Sequence, residues 1–421
     1  MEIAILIGGS GTRLKKIIRN KPKAFLKIVN KPIIFHQIEK LSAIKKRIFI
    51  LSKTNYKKFH NVLKKKFKRL RFIFLEESKP LGNAGCLKNL EKINFENFLI
   101  IYGDLIFNID LRKFIKFHLQ KKSHLSFLVH PSDHPSDSDI VEVDKDFKII
   151  KLHKNPHKKE NIGNLCISGI SIINKEILKY LKPNKFQDFS KDVLEKLLKT
   201  NLKIYAYNTR EYVKDAGTLD RINLIKKQIR TKKFINGNLN KKIPAIFLDR
   251  DGVINKDNFK NQYQNPLKLN YGAIKAVKQI NDNGYLSVIV TNQPAVAKGF
   301  ITLKKLENDH KKLEYLFGKN NAYFDRIYFC PYHPHKGFRG ENIKFKKRSN
   351  WRKPNNGMFL RAIKDLNINK KNSYMIGDRD VDYLAAKKTG IKCLIVGKKF
   401  VKKGLRNYKN LHSATRSIFK S

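Results

Sequence analysis

A chain of 421 residues, 41% of them hydrophobic, exceeds what one core ordinarily serves and predicts two domains. Its 90 Lys and Arg against 35 Asp and Glu give a formal charge of +55, but the lysines are spread along the whole chain with no zinc-finger, RRM or KH pattern. That spread argues against a specific nucleic-acid partner and for a basic surface that attracts anionic substrates. Cys86, Cys166, Cys330 and Cys393 are too scattered for a disulfide framework, and no apolar run reaches membrane-span length, so a soluble cytoplasmic protein without a membrane partner is expected.

In chain order, the apolar strand-type runs EIAILI, RIFILS, RFIFLEE, FLIIYGD and LSFLVH alternate with lysine-rich helical segments over residues 1–229. The stretch 230–243 is polar, basic and without apolar periodicity, which predicts a linker. Over 244–400 the alternation resumes with IPAIFLD, YLSVIVTN, RIYFCP, SYMIGD and KCLIVG, and 401–421 is set apart as a basic tail, a terminal helix or partly disordered. Strands alternating with helices predict α/β architecture in both halves.

After the first strand come Gly8, Gly9, Ser10, Gly11, Thr12, Arg13 and Leu14. The glycines remove side chains where backbone amides must approach phosphates, and the arginine adds one fixed cation. Lys23 follows Pro22 downstream. With this G-G-x-G-T-R-L and P-K signature, residues 1–225 resemble the sugar-1-phosphate nucleotidyltransferases, which share a Rossmann-like mixed sheet. PLGNAG with Gly82, which in the family helps seat the base, YGDLIF with Asp104, HKNP with Lys154, FSKDVLEKLL, and KDAGT with Asp215 follow in the family's order.

The resemblance implies that a sugar-1-phosphate oxygen attacks the α-phosphorus of a nucleoside triphosphate and pyrophosphate leaves, a reaction served by positioning and charge neutralisation. It assigns Gly8, Gly9, Gly11, Thr12 and Arg13 to the triphosphate, Lys23 to its neutralisation, Asp104 and Asp215 to Mg2+, and Lys154 to the sugar phosphate. Three positions depart from the family: Ile7 for a small residue, His153 for a glutamate, and Ile167 near a sugar-contacting asparagine.

In FLDRDGVIN, the Asp-x-Asp spacing places Asp249 and Asp251 on one side of a chain leaving a strand, so one can attack while the other handles protons. VTNQ with Thr291 and Asn292, WRKPNNGM with Arg352 and Lys353, and MIGDRDVD with Asp378 and Asp382 follow. These four motifs in order resemble the haloacid dehalogenase phosphatases, and within them the heptose-1,7-bisphosphate 7-phosphatases and histidinol phosphatases, over residues 244–400. The resemblance implies that Asp249 forms an aspartyl phosphate while Asp251 protonates the leaving oxygen and then activates water.

It further implies Mg2+ on Asp249, Asp378 and the main-chain oxygen of Asp251. Thr291, Asn292 and Lys353 would hold the phosphoryl oxygens, and Arg352 the substrate. The short span between the first two motifs predicts a parallel sheet with no large cap. Many such proteins hold a structural zinc, but Tyr332, Ser349 and Trp351 stand where its ligands would be beside Cys330, so a zinc-free loop is expected despite His333 and His335.

A bisphosphate substrate reconciles the two halves, because removing the 7-phosphate of heptose 1,7-bisphosphate leaves the heptose 1-phosphate that the first half requires. The expected function is therefore a bifunctional enzyme of nucleotide-activated heptose biosynthesis, with GTP preferred and the other bases left open. A mannose-type transferase fused to another phosphatase, and a partly inactive basic scaffold or RNA-binding protein, are the alternatives.

Overall fold

The computed structural model describes residues 1–9, 14, 21–157, 159–257, 267–398, 400 and 404–419. The chain divides into two compact units, the first comprising Met1–His130, Ser138–His157 and Leu165–Asn238, the second Pro131–Asp137, Lys158–Asn164 and Leu239–Ser421.

In unit one the elements are β1 (Glu2–Leu6), α1 (Ile33–Leu41), β2 (Arg47–Lys53), α2 (Lys57–Lys66), β3 (Arg71–Glu77), β4 (Asn97–Tyr102), β5 (Leu105–Asn108), α3 (Leu111–Gln120) and β6 (Leu125–Pro131). There follow β7 (Ile140–Val143), β8 (Ile149–His153), β9 (Leu165–Asn174), β10 (Ile204–Asn208), β11 (Tyr212–Asp215), α4 (Leu219–Gln228) and α5 (Lys232–Ile235). Among the described residues nine strands form one sheet, ordered β8-β7-β9-β4-β1-β2-β3, with β6 joined to β9 and β10 to β6. β1 runs parallel to β2 and β4, whereas β9 runs antiparallel to β4, so the sheet is mixed as expected.

The apolar runs lack a polar alternation because both faces of the sheet are covered. Ala4, Phe98 and Ile100 point into one core cluster, and their neighbours Ile3, Ile5, Leu99 and Ile101 into the other. Outside this sheet, β5 and β11 form an antiparallel pair in which Asp215 stands opposite Leu105, next to Asp104.

Unit two contains β12 (Ala245–Leu248), α6 (Ala273–Asp282), β13 (Leu286–Asn292), α7 (Leu303–Lys319), β14 (Arg326–Cys330), α8 (Gly357–Leu366), β15 (Tyr374–Gly377), α9 (Asp380–Thr389), β16 (Lys392–Val396), β17 (Asn407–Tyr408) and α10 (Leu411–Phe419). All its strand pairs are parallel, in the order β14-β13-β12-β15-β16-β17. The order reverses between β12 and β15, the crevice where open α/β sheets bind ligands beyond their strand ends. Ala245 and Phe247 face a core closed by α8 and α9, and Ile246 and Leu248 face one closed by α6, α7 and α10. Full burial of a side chain such as Phe247 is worth about 1.5–3 kcal/mol, so this short strand is held from both sides. Among the described residues α6 is the one helix between β12 and β13, and the sheet carries no large cap.

Two expected boundaries change. Residues 230–243 are not a free linker: α5 forms within them, Phe234 packs edge-on against Tyr212 at 5.0 Å, and Tyr212 N–H donates to the Gly237 carbonyl at 3.0 Å. The segment looked unpatterned because one aromatic and main-chain bonds, rather than a periodic face, hold it. Nor is 401–421 merely a tail. β17 extends the sheet, and Leu411 and Ala414 of α10 are buried in the second core, their three-residue spacing placing them on one helix face. Among the described residues no helix is long and apolar enough to cross a membrane.

Candidate active sites

In unit one, Gly8, Gly9, Lys23, Gly82 and Asp104 line one cavity of about 300 Å3 beyond the ends of β1, β3 and β4. Gly11, Thr12 and Arg13 lie outside the described residues. Lys23 Nζ pairs with Asp104 Oδ2 at 2.7 Å, an exchangeable contact in which each group can instead meet a phosphate or a cation. Gly82 has φ +76, and a side chain there would bring Cβ within 2.3 Å of the Gln187 carbonyl. Its loop is fixed further by Asn83, whose Nδ2 donates to Asp188 Oδ2 and whose Oδ1 accepts the Phe189 N–H.

The same cavity is lined by Glu77, which the sequence did not single out. Burial raises its carboxyl above the usual range, partly offset by the Leu81 N–H on Oε2 and by Lys53. Its Oε1 lies where a Gly8 Cβ would come within 2.6 Å, so a side chain at position 8 would push the carboxylate aside. The one legible signal was a carboxylate at a strand end five residues before Gly82.

Lys154 and Asp215 are not among the described lining residues of this cavity. Lys154 Nζ is engaged by the Glu195 carboxylate and the Lys191 carbonyl, so the lysine assigned to the sugar phosphate rests against the FSKDVLEKLL segment. Arg221 Nη1 sits 2.8 and 2.9 Å from the two oxygens of Asp215, the carboxylate that the resemblance gave to Mg2+. Asp215 is nonetheless adjacent to Asp104, whose main-chain oxygen accepts the Ala216 N–H at 2.8 Å. The three departures are absorbed locally. Ile7 fills the space left by Gly103, His153 Nε2 pairs with Glu142 at 2.6 Å, and Ile167 packs against the core.

In unit two, Asp249 leaves β12, Thr291 and Asn292 end β13, and Asp378 leaves β15, so the parallel strands deliver them to one edge. Lys353 is 1% exposed and spans two carboxylates, with Nζ 3.0 Å from Asp249 Oδ1 and 2.5 Å from Asp382 Oδ1, while also donating to the Val290 carbonyl. Burial opposes its charge, but Asp249 and Asp382 outweigh it and hold the ammonium above its usual range. Asp249 is pushed up to about 7 by burial, with Lys353 opposing and Asp382, Asp378 and Asp251 adding.

Asp249, Asp378 and Asp382 present carboxylate oxygens within 4.8 Å of one another. Asp382 spends Oδ1 on Lys353 and Oδ2 on the N–H groups of Asp378 and Arg379, so Asp249 and Asp378 are the pair suited to a hard cation. Gly252, at φ +89, leaves the room that Asp378 occupies, since a Cβ there would lie 2.2 Å from Asp378 Oδ2. This all-oxygen, acidic donor set fits Mg2+.

Asp251 has a different environment. Burial pushes its proton affinity up, but Arg250, Asn255 and Gln293 together hold the carboxyl below the usual range. Arg250 and Gln293 were missed in the sequence because the first reads as a spacer inside Asp-x-Asp and the second as strand-end polarity after Thr-Asn.

Asn292 is placed differently from its expected substrate contact. Its Nδ2 donates to the Lys353 carbonyl and its Oδ1 accepts the Lys353 N–H, both at 3.0 Å, so it clamps the lysine's backbone. Thr291 Oγ1 accepts from Gln293 Nε2 at 3.0 Å, and Arg352 donates to the Tyr332 carbonyl. In the loop considered for zinc, Cys330 is buried and His333 Nδ1 lies 3.2 Å from the His335 carbonyl.

Residues 3–232 match the nucleotidyl transferase family and residues 350–411 a HAD-hydrolase-like family. The second half is 37% identical over 153 residues, 36% of this chain and 81% of the relative, to a D-glycero-beta-D-manno-heptose-1,7-bisphosphate 7-phosphatase of Haemophilus ducreyi. The namesake protein of Vibrio cholerae is 37% identical over 148 residues, covering 35% and 77%. Among solved structures, HddC from Yersinia pseudotuberculosis aligns with 54% of this chain and 99% of its own, at a TM-score of 0.47 and 26% identity.

Proposed function

The chain belongs to the nucleotidyl transferase family and carries a haloacid dehalogenase phosphatase behind it, and from that premise we propose that it works on one sugar twice. The phosphatase unit removes the 7-phosphate of a heptose 1,7-bisphosphate, and the transferase unit then joins the heptose 1-phosphate to a guanylyl group from GTP, releasing pyrophosphate. The observation that carries the heptose assignment is the 37% identity of the second half across 81% of a heptose bisphosphate phosphatase.

For guanine, the support is Glu77. Guanine presents adjacent N1–H and N2–H donors, and a buried carboxylate in the nucleotide cavity offers acceptors for both, whereas adenine presents an acceptor at the corresponding ring position. Cytosine and thymine do not present that pair of donors.

In the phosphatase unit Asp249 attacks phosphorus to form an aspartyl phosphate, while the Asp251 carboxyl gives its proton to the departing sugar oxygen and later takes one from the attacking water. Lys353 sits on the nucleophile and neutralises the phosphoryl oxygens, and Asn292 keeps Lys353 in place. Mg2+, when held by Asp249, Asp378 and the Asp251 main-chain oxygen, supplies positive charge against the transferring group. In the transferase unit Lys23 exchanges Asp104 for the triphosphate, freeing Asp104 for a metal with Asp215, and the glycines admit the phosphates to the backbone. Both steps draw on soluble substrates, consistent with a cytoplasmic enzyme.

The test incubates the purified chain with heptose 1,7-bisphosphate, Mg2+ and each nucleoside triphosphate in turn, following phosphate, pyrophosphate and sugar nucleotide together. Phosphate should be released with every nucleotide, and pyrophosphate should accumulate with GTP. Pyrophosphate release favouring another nucleotide overturns the guanine assignment, and absent phosphate release overturns the heptose one.

A further inference from the structure

Arg250 stands between the two catalytic aspartates, and each nitrogen of its guanidinium has a partner. Nε and Nη2 reach the Asp251 carboxylate at 3.1–3.3 Å, Nη2 also donates to Gln293 Oε1 at 2.8 Å, and Nη1 lies 3.2 Å from His310 Nε2. Arginine accepts nothing, so His310 must offer a lone pair at Nε2 and carry its proton at Nδ1. His310 is buried on α7 beside Phe329, their ring centroids 5.1 Å apart. Gln293 follows β13 and closes the loop by donating from Nε2 to Asp251 Oδ2 at 2.6 Å, while Asn255 Nδ2 donates to Oδ1 at 2.8 Å. Helix α7, the end of β13 and the turn after β12 thus converge on one buried guanidinium.

We infer that Arg250, braced by His310 and Gln293, is a positioning residue that sets the Asp251 carboxyl for proton transfer to the leaving group. The inference rests on the phosphatase reading of this unit. Asp251, ionised before substrate enters, takes its proton from the phosphate monoester bound as the monoanion. As the bond from Asp249 oxygen to phosphorus forms and the bond from phosphorus to the sugar oxygen breaks, that proton passes to the sugar oxygen. In the second step water attacks phosphorus, gives its proton to Asp251, and the bond to Asp249 breaks. A carboxyl on a freely rotating arm would meet the leaving oxygen only part of the time. The brace removes that freedom: His310 holds Nη1, the nitrogen that does not touch Asp251, and Gln293 ties Nη2 and the Asp251 carboxylate together, so the arginine and the carboxyl are fixed as one group.

The test separates positioning of the acid from general support of the fold by changing the leaving group. A primary alkyl phosphate leaves as a poor anion and needs the proton, whereas p-nitrophenyl phosphate leaves as a stable anion and does not. The comparison uses kcat/KM, which covers steps up to the first phosphoryl transfer, before water enters. In the full chain, Arg250→Met should lower kcat/KM for heptose 1,7-bisphosphate by about 100-fold, the lower end of what a positioned acid contributes, and for p-nitrophenyl phosphate by only a few-fold.

His310→Gln keeps an acceptor for Nη1 and should stay near wild type on both substrates. His310→Phe should repeat the selective loss at about tenfold, as about 1.4 kcal/mol of positioning is removed. Retained turnover of p-nitrophenyl phosphate and an unchanged melting transition of unit two show that each variant is folded, and pyrophosphate release by the transferase unit should be unchanged throughout. Equal losses on both substrates, or no loss on the alkyl phosphate, overturn the inference. Wild-type turnover, measured alongside, reports on the substrate reading by itself. If heptose bisphosphate is not turned over, another primary alkyl phosphate that the wild type hydrolyses takes its place.

Discussion

Stripping divalent metal from the phosphatase unit should make its stability fall with rising pH, and Mg2+ should reverse that trend. The cause is Asp249, whose carboxyl rises from its ordinary 3.8 to about 7 through burial and its acidic neighbours, against the pull of Lys353. Its folded proton affinity exceeds its unfolded one, so the folded chain keeps this proton across that window. The stability it contributes is present below about pH 4 and is lost as pH climbs through about 7. At about 1.4 kcal/mol per pH unit the whole window is worth about 4 kcal/mol, a large part of a domain's margin.

An ion shared by Asp249 and Asp378 binds the ionised form and competes with the proton, so its apparent affinity should rise about tenfold per pH unit below 7 and level off above. Calorimetric unfolding of the full chain, in EDTA and in Mg2+, from about pH 5 to 8.5, reads both effects in the transition assigned to unit two. Asp249→Asn, which cannot titrate, should remove its share of the fall and leave that of Glu314, a buried carboxyl also pushed up to about 7, while buried His310, pushed from 6.5 down to about 3, opposes the fall at the acid end of the range. A Mg2+-induced rise in Tm that is the same at both ends of the range, or a metal-free Tm that climbs with pH, would refute the reasoning.

Other expectations follow from the same geometry. Asp249→Asn should abolish phosphate release while leaving pyrophosphate release from supplied sugar 1-phosphate intact, because the attacking carboxylate belongs to unit two alone; parallel loss of both activities, read in one assay mixture, would count against independent sites. Glu77→Gln replaces an acceptor pair with one acceptor and one donor, so kcat/KM for GTP should drop about 10- to 100-fold, the worth of a charge-assisted bond of about 1.5–3 kcal/mol, with ATP almost unaffected. An unchanged GTP preference in steady-state kinetics would remove Glu77 from base recognition. Gly82→Ala forces a side chain into a left-handed backbone against the Gln187 carbonyl. It should destabilise unit one by at least about 1–2 kcal/mol and raise the nucleotide KM; wild-type melting would contradict that packing.

The strand runs quoted from the sequence all fold as strands; the central ones, such as β1, β4, β12 and β13, are apolar stretches buried on both faces, and the more exposed β3, β14 and β16 still keep a run of apolar residues. Short half-exposed strands such as β7 and β8 escaped notice, since Glu142 and Lys151 interrupt their pattern and their pairing with each other, and of β7 with β9, is what makes them strands. In the site, Asp249, Lys353 and Asp378 were legible because their chemistry demands fixed residue types at fixed spacing. Arg250, Gln293 and His310 were not, because a supporting residue is defined by its partners across the fold and His310 lies 60 positions from Arg250. Asn292, expected to meet the substrate, has a structural task that the motif alone did not show, since its side chain holds the backbone of another motif. At 401–421 the terminal helix was among the expectations and forms as Leu411–Phe419, while the two-residue strand Asn407–Tyr408 was not legible because so short a run carries no periodicity of its own.

The parallel sheet of unit two also decides where that unit can be joined to other sequence. The longest stretch of that unit begins at Leu239, whose carbonyl accepts from Asn367 Nδ2, passes Ile243, which bridges Ile368, then runs up β12 to emerge at Asp249. The entry and the chemistry therefore lie at opposite ends of one strand, about 13 Å apart for four residues. A graft at the entry disturbs no catalytic side chain, since none of the six strands places one there. Length can therefore be added at this entry without redesign of the active edge, whereas two short pieces of the same unit, Pro131–Asp137 and Lys158–Asn164, come from earlier in the chain and tie it to the sequence ahead of it.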